Sequence, residues 1–312
     1  MRQFKNILYY ADHDKDQAHA LQRVTQLAKS NQAALTVIDV IVESDMNYDI
    51  NQEYGIDIHK MYMAQRLNDL QELVAPYSDL GITISCKVLV GTPFIELIRA
   101  VQQNQYDLLV KVAQGSQGVI NRLFGSTDMH LLRKCPCPVW IDDSNSVYPY
   151  NNILAAVDPC HDDHQDLNKL IMALSTSLAE NESAKLHVVH AWQLEGESYL
   201  RSPRISLSDQ QVDTIVANTE LKHAKQLDHI LRDYDMSVSS DHVNLIKAVP
   251  YKGILSTAND TQADLIVMGT VGRTGLAGFF IGNTAEDVLQ NTHCSVLAVK
   301  PDGFVSPVTA DD

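Results

Sequence analysis

The sequence predicts an α/β protein of two tandem Rossmann-like domains, each an open five-stranded parallel sheet ordered 3-2-1-4-5. Three observations carry this. Residues 264–299 repeat residues 107–142 at a constant offset of 157. Each half alternates short apolar runs with amphipathic helical stretches. Each half also opens on the same motif, an apolar run that ends in an aspartate: Lys5–Asp12 and Asn151–Asp158. A repeat at this scale sets the architecture before any local argument.

The elements follow in order. The opening runs read as buried strands. Acidic helix-start residues follow (Asp14 and Asp16; Asp162 and Asp163), then a helical pattern: Ala20, Leu21, Val24, Leu27 and Ala28 in the first half, Leu167, Leu170, Ile171 and Leu174 in the second. Ala34–Val40 and Lys185–Ala191 read as second strands. Longer helices are expected near 58–76 and 209–233. The stripe Met61, Ala64, Leu67, Leu70, Leu73 and Val74 reads as core packing. Third strands are expected at Thr83–Val90 and Ser237–Leu245. Helices then open at Thr92-Pro93 and Val249-Pro250, where proline suits the first turn. Fourth strands are Leu108–Val112 and Leu265–Gly269. Domain boundaries fall at 1–145 and 150–302, with a polar, flexible tail at 303–312.

Composition narrows the function. A chain of 312 residues has room for two cores. A net charge of −15 repels phosphate backbones, which argues against nucleic-acid binding. No apolar run reaches the length of a membrane span. Five cysteines without framework spacing, and a start with no signal-peptide pattern, point to the cytoplasm.

The repeat also builds a candidate site. In open parallel sheets, ligands sit at the carboxyl ends of strands where the order reverses, here between strands one and four. Asp158 ends strand one of the second half, and Gly269 and Gly272 follow strand four. Glycines there let backbone N–H groups approach an anion. Gly282-Asn283-Thr284 opens the next helix, whose N-terminus attracts phosphate. Arg273 can reach phosphate oxygens. The pattern is neither a P-loop nor G-x-G-x-x-G.

These motifs resemble the universal stress protein family. The resemblance rests on Gly269–Gly275, Phe280–Glu286 and Met129–Trp140, and covers nearly the whole core. It implies an intrachain pseudo-dimer in which strand five of each half, Cys137–Ile141 and Ser295–Val299, pair with one another. It implies a nucleotide-binding branch with G-x2-G-x9-G-[S/T], so that Asp158 and Val188 lie on the adenine side and Gly269, Gly272 and Gly282 surround phosphates. Asn283 replaces the family hydroxyl. In the first half Asp12, Val37, Gly115, Gly125 and Ser126 match, but Val112 replaces the first glycine. A β-branched residue disfavours positive φ and close approach, which implies a degenerate site.

The expected function is therefore non-enzymatic. The chain would sense a small ligand, an adenine nucleotide in the second half, in resistance to starvation, oxidative or DNA-damaging stress. No catalytic residue or metal is assigned. An unidentified protein partner and further self-association remain open. Two alternatives are a weak ATPase or nucleotide transferase, and a binder of an apolar acyl ligand beneath Gly275–Ile281. Three lesser constellations read as structural. Cys160-His161-Asp162-Asp163-His164 is a polar helix start, and Cys135-Pro-Cys137 a pair of buried thiols. Arg201 and Arg204 belong to a solvated loop.

Overall fold

In a computed structural model, residues 4–12, 15–42, 57–114, 123–160, 165–270 and 281–310 are described. The first half contributes β1 (Asn6–Tyr10), β2 (Ala34–Ile41), β3 (Ile84–Val90), β4 (Leu108–Val112) and β5 (Val139–Asp142). The second contributes β6 (Asn152–Ala156), β7 (Lys185–Trp192), β8 (Val243–Lys247), β9 (Leu265–Gly269) and β10 (Ser295–Val299).

The halves do not keep two separate sheets: the fifth-strand pairing that the resemblance implies joins them. All ten strands form one sheet in the order β3-β2-β1-β4-β5-β10-β9-β6-β7-β8. The join is antiparallel, with Val296 opposite Ile141, Leu297 opposite Trp140 and Ala298 opposite Val139. All other neighbours are parallel. Pairing the two fifth strands leaves neither as an exposed edge, which explains the fusion. The strands around the join are buried on both faces, as helix-covered strands must be, and apolar except at Lys111, Asp142 and Ser295.

Helices cover both faces. Ala18–Asn31 and Gln165–Glu182 bury Leu21, Val24, Leu167, Ile171 and Leu174 on one side, joined by Leu70, Leu227 and Leu231 from the longer helices Ile58–Val74 and Asp209–Leu231. Pro93–Asn104, Ser126–Lys134, Pro250–Asp260 and Asn283–Asn291 cover the other. Both prolines stand in the first helical turn, as expected.

Three details depart from the sequence reading. The stripe on Ile58–Val74 is core only at its C-terminal end: Leu70 is buried, whereas Met61 and Ala64 are exposed. The strand expected at Ser237–Leu245 begins at Val243. Its serines instead close a turn, Ser237 N–H donating to Ser240 Oγ at 3.0 Å, while Val238 N–H donates to Asp228 at 2.7 Å. The tail, expected to be loose, lies along Pro93–Asn104. There Gln102 and Gln103 donate to the carbonyls of Val308 (3.0 Å) and Ala310 (2.9 Å).

A buried polar hub ties the halves together. Asp142, at the end of β5, accepts from Arg23 (2.6 Å), the Tyr150 hydroxyl (2.5 Å) and Ser295 of β10 (2.9 Å). Arg23 also reaches Glu182 of the second half at 3.2 Å and stacks over Tyr150 at 3.7 Å. Every charge in the hub has a partner, as burial demands.

Candidate functional site

The candidate site of the second half lies where β6 and β9 end side by side. Asp158 stands just beyond β6. Its backbone is clamped by Asn168, which accepts from the Asp158 N–H (2.9 Å) and donates to its carbonyl (2.7 Å). Gly269 ends β9. The helix Asn283–Asn291 begins at Gly282, whose N–H donates to Thr270 O at 2.9 Å and so docks the helix start against the end of β9. Asp158, Gly269, Gly282, Asn283 and Thr284 therefore lie on elements that meet at one end of the sheet. Gly272 and Arg273 fall outside the described residues, as does Gly115 of the first half.

Val188 occupies a different environment. It is fully buried on β7, in the core cluster that contains Leu227, Leu231 and Val243. Its N–H donates to His242 O and its carbonyl accepts from Asn244. Val37 is likewise fully buried on β2. Neither valine presents its side chain at the surface.

The glycine at 269 is required for space, not for conformation. Its φ is not positive. A Cβ there would lie 2.8 Å from Leu167 Cδ2. The sequence argument from positive φ at this position is therefore corrected: what a side chain would meet is the end of Leu167 on the helix Gln165–Glu182. Val112 takes the corresponding position in the first half.

The first half differs most at the start of its helix Ser126–Lys134. Asp128 is fully buried, and its carboxylate accepts from the Gly125 N–H and the Gln114 N–H, both at 2.8 Å. Lys111, also fully buried, forms an ion pair with the same carboxylate and donates to Val112 O at 2.6 Å. The Gln114 side-chain oxygen accepts from the Thr127 N–H at 3.3 Å and lies where a Cβ on Gly125 would go. At this helix start the Gly125 N–H is thus engaged by the chain's own carboxylate and the Thr127 N–H by the Gln114 amide. At the offset of 157, Ala285 stands for Asp128 and Met268 for Lys111. Asp12 stands beyond β1, and Gly125 and Ser126 open the helix, but around an internal anion.

Lys300, on the second-half side, is buried without a carboxylate. It donates to Leu132 O (2.6 Å) and Thr270 Oγ1 (2.9 Å), and burial lowers it to about 8, partly offset by Cys135 and Cys137. These two thiols are buried with their sulfurs 3.5 Å apart. Arg201 is held by Asp213 (2.7 Å) and Glu197 (3.0 Å), which matches its reading as part of a loop rather than a ligand clamp.

One cluster escapes sequence reasoning. Cys160, His190 and His223 converge beside Asp158, from the turn after β6, from β7 and from the helix Asp209–Leu231. His190 and His223 lie 30 and 63 residues from Cys160, so no local spacing announces them. His161 and His164, the nearer candidates in sequence, lie outside the described residues.

Two tandem α/β halves joined through their fifth strands, each with strands one and four side by side, define a tandem Rossmann-like protein. More particularly, the chain belongs to the universal stress protein family, whose model matches residues 3–142 and 149–300. It is 29% identical over 322 residues to universal stress protein E of Salmonella typhi and of Escherichia coli K12, covering 100% of this chain and 99% of each relative. Among solved structures it is similar to a protein of unknown function from Pseudomonas aeruginosa (TM-score 0.74, 23% identity, 96% of this chain and 94% of that one). It is also similar to a universal stress protein from Archaeoglobus fulgidus (TM-score 0.65, 19% identity, 96% and 99%). These structures share the fold. Membership supports a role in stress response, within a family that is generally non-enzymatic. Among the described residues, no helix is long and apolar enough to cross a membrane.

Proposed function

We propose that the chain is a non-enzymatic, cytoplasmic ligand sensor in stress adaptation, in which the second half binds an adenine nucleotide and the first half is closed to it. The observation that carries this reading is the contrast at the two helix starts. Asp128, neutralised by Lys111, fills the anion position in the first half, whereas Ala285 and Met268 stand there in the second. A helix N-terminus bordered by alanine, with glycines at the neighbouring strand end, suits a phosphate group. Asp158 is positioned for the base and sugar side, and Asn283 supplies an amide donor in place of the family hydroxyl. Gly272 and Arg273 would complete the phosphate contacts. The ligand state would then be read by a protein partner, or by a second copy of the chain.

The test is mass spectrometry of small molecules extracted from freshly purified protein, followed by equilibrium ATP binding. Wild type should carry about one adenine nucleotide per chain. The double variant Ala285→Asp with Met268→Lys transplants the first-half arrangement. It should weaken ATP binding about a hundredfold, about 2.7 kcal/mol. Unchanged binding in a folded double variant would overturn the proposal. So would a stoichiometric acyl molecule in the extract. Phosphate release that disappears in Gly272→Val would instead favour the enzymatic reading.

A further inference from the structure

We infer that the second half carries a zinc site built from Cys160, His190 and His223. The three donor atoms lie within 4.8 Å of one another. Cys160 Sγ is 3.6 Å from His190 Nε2 and 2.9 Å from His223 Nδ1, and the two ring nitrogens are 2.8 Å apart. Tetrahedral zinc with ordinary bond lengths spaces a sulfur and a nitrogen by about 3.6 Å and two nitrogens by about 3.3 Å. The Cys160–His190 edge already has that length. His223 needs to draw back by about 0.5–0.7 Å, and it is half-buried on a helix rather than fixed in the sheet.

Proton placement favours a cation. His190 Nδ1 lies 3.1 Å from Val157 O. A carbonyl only accepts, so Nδ1 carries the proton and Nε2 turns its lone pair toward Cys160 and His223. This is the outer bond that fixes tautomer and ring orientation in histidine metal ligands. His223 is oriented as well: the Trp192 ring stacks on it, with centroids 5.2 Å apart and planes 24° apart. His190 itself is only 3% exposed. Three sequence-distant elements thus aim a sulfur and two imidazole nitrogens at one point, each ring held by its own contact.

The first half shows what the place holds when it is not built this way. The strand registers equate His190 with Asp39, since Ile38 pairs with Tyr10 as Val189 pairs with Ala156. Asp39 there forms a buried ion pair with Arg66 of the long helix. A fixed guanidinium neutralises the first half, and the second presents soft neutral donors instead. Cysteine with two histidines selects zinc over magnesium or calcium, which prefer oxygen. Three protein ligands leave a fourth position for water or a ligand atom, the pattern of exchangeable zinc sites. Cys160 N–H lies 3.5 Å from Asp158 Oδ1, so the ion would sit beside the ligand crevice.

The experiment uses full-length, tag-free protein and zinc alone. After equilibrium dialysis, elemental analysis should find about one zinc per chain, and a chromophoric chelator in competition should give its affinity. Loss of outer partners alone weakens metal sites by 10–100-fold, so Cys160→Ser and His223→Asn should each weaken zinc by at least about a hundredfold. His187→Asn, a histidine outside the cluster, should bind as wild type. Cobalt substitution should give a thiolate charge-transfer band that vanishes in Cys160→Ser. Zinc should protect Cys160 from alkylation, and a chelator should restore labelling. Circular dichroism of each variant separates loss of the site from loss of fold. Substoichiometric zinc, or equal affinity in folded Cys160→Ser, would overturn the inference. None of these readouts involves nucleotide, so failure here leaves the sensor reading intact, and the reverse holds too.

Discussion

The two halves share a backbone plan and differ in what they bury at its open end. The first half closes both of its places with ion pairs, Lys111–Asp128 at the helix start and Asp39–Arg66 on the second strand. The second half has Met268 and Ala285 in one place and His190 and His223 in the other. Duplication therefore kept the scaffold, and a few substitutions changed what each half buries. Internal ion pairs satisfy their own charges and hold structure. Methionine, alanine and imidazoles put no such pair at the matching places.

The strongest way to break this comparison is to remove one member of a closed pair. Asp128→Ala leaves Lys111 charged and fully buried, with two backbone donors unsatisfied. Stripping one partner from a buried pair costs about 3–5 kcal/mol, and denaturant unfolding should show a loss of that size. Adding Lys111→Met reproduces the second-half residues and should recover most of it, because an apolar replacement of a whole buried pair is close to neutral. A double variant no more stable than Asp128→Ala would mean that Asp128 acts mainly as a helix cap. The two halves would then differ less than their charges suggest.

The next test sharpens the contrast between the two buried lysines. Among the described residues Lys300 has a carbonyl, a hydroxyl, the Phe304 ring and neighbouring thiols around it, and burial lowers it from 10.5 to about 8. Between about pH 8 and 10.5 the unfolded chain holds a proton that the folded chain has released. Stability contributed through this group therefore rises with pH across that window. Relative to Lys300→Met, wild type should gain up to about 3 kcal/mol between those limits, read from unfolding midpoints at several pH values. A parallel pair of curves would show that Lys300 stays charged in the folded protein.

How much of this was legible in the sequence follows from the range of each signal. The repeat, the alternation of strands and helices and the proline-led helices are local patterns, and the structure keeps them. The helix at 283–291 sits at the stated offset from that at 126–134. The fifth-strand pairing, and with it the single ten-stranded sheet, came from the family resemblance rather than from any local pattern. The strand expected from Ser237 starts late because serines satisfy their own backbone there. Asp128 reads in sequence as an ordinary acid in a first helical turn. Only the fold shows that Lys111, 17 residues earlier, reaches it. The zinc donors come from three elements, and no spacing rule joins them.

The smallest effect tests whether the glycine that ends β9 is there for space. Gly269 has an ordinary φ, so alanine should carry no conformational penalty. The cost must come from Leu167 Cδ2, 2.8 Å from the new methyl. Overpacking of this kind costs about 1–3 kcal/mol, and the contact is the end of a flexible side chain, so the lower end is expected. The sign should reverse once Leu167 is truncated. In a Leu167→Ala background the methyl has room, and Gly269→Ala should stabilise by about 0.4–1 kcal/mol by restricting the unfolded chain. Urea unfolding of the four proteins gives the coupling directly. Additive effects would mean that the close approach of the helix Gln165–Glu182 is not what excludes a side chain at 269. The difference between glycine here and Val112 in the first half would then have to come from the ligand.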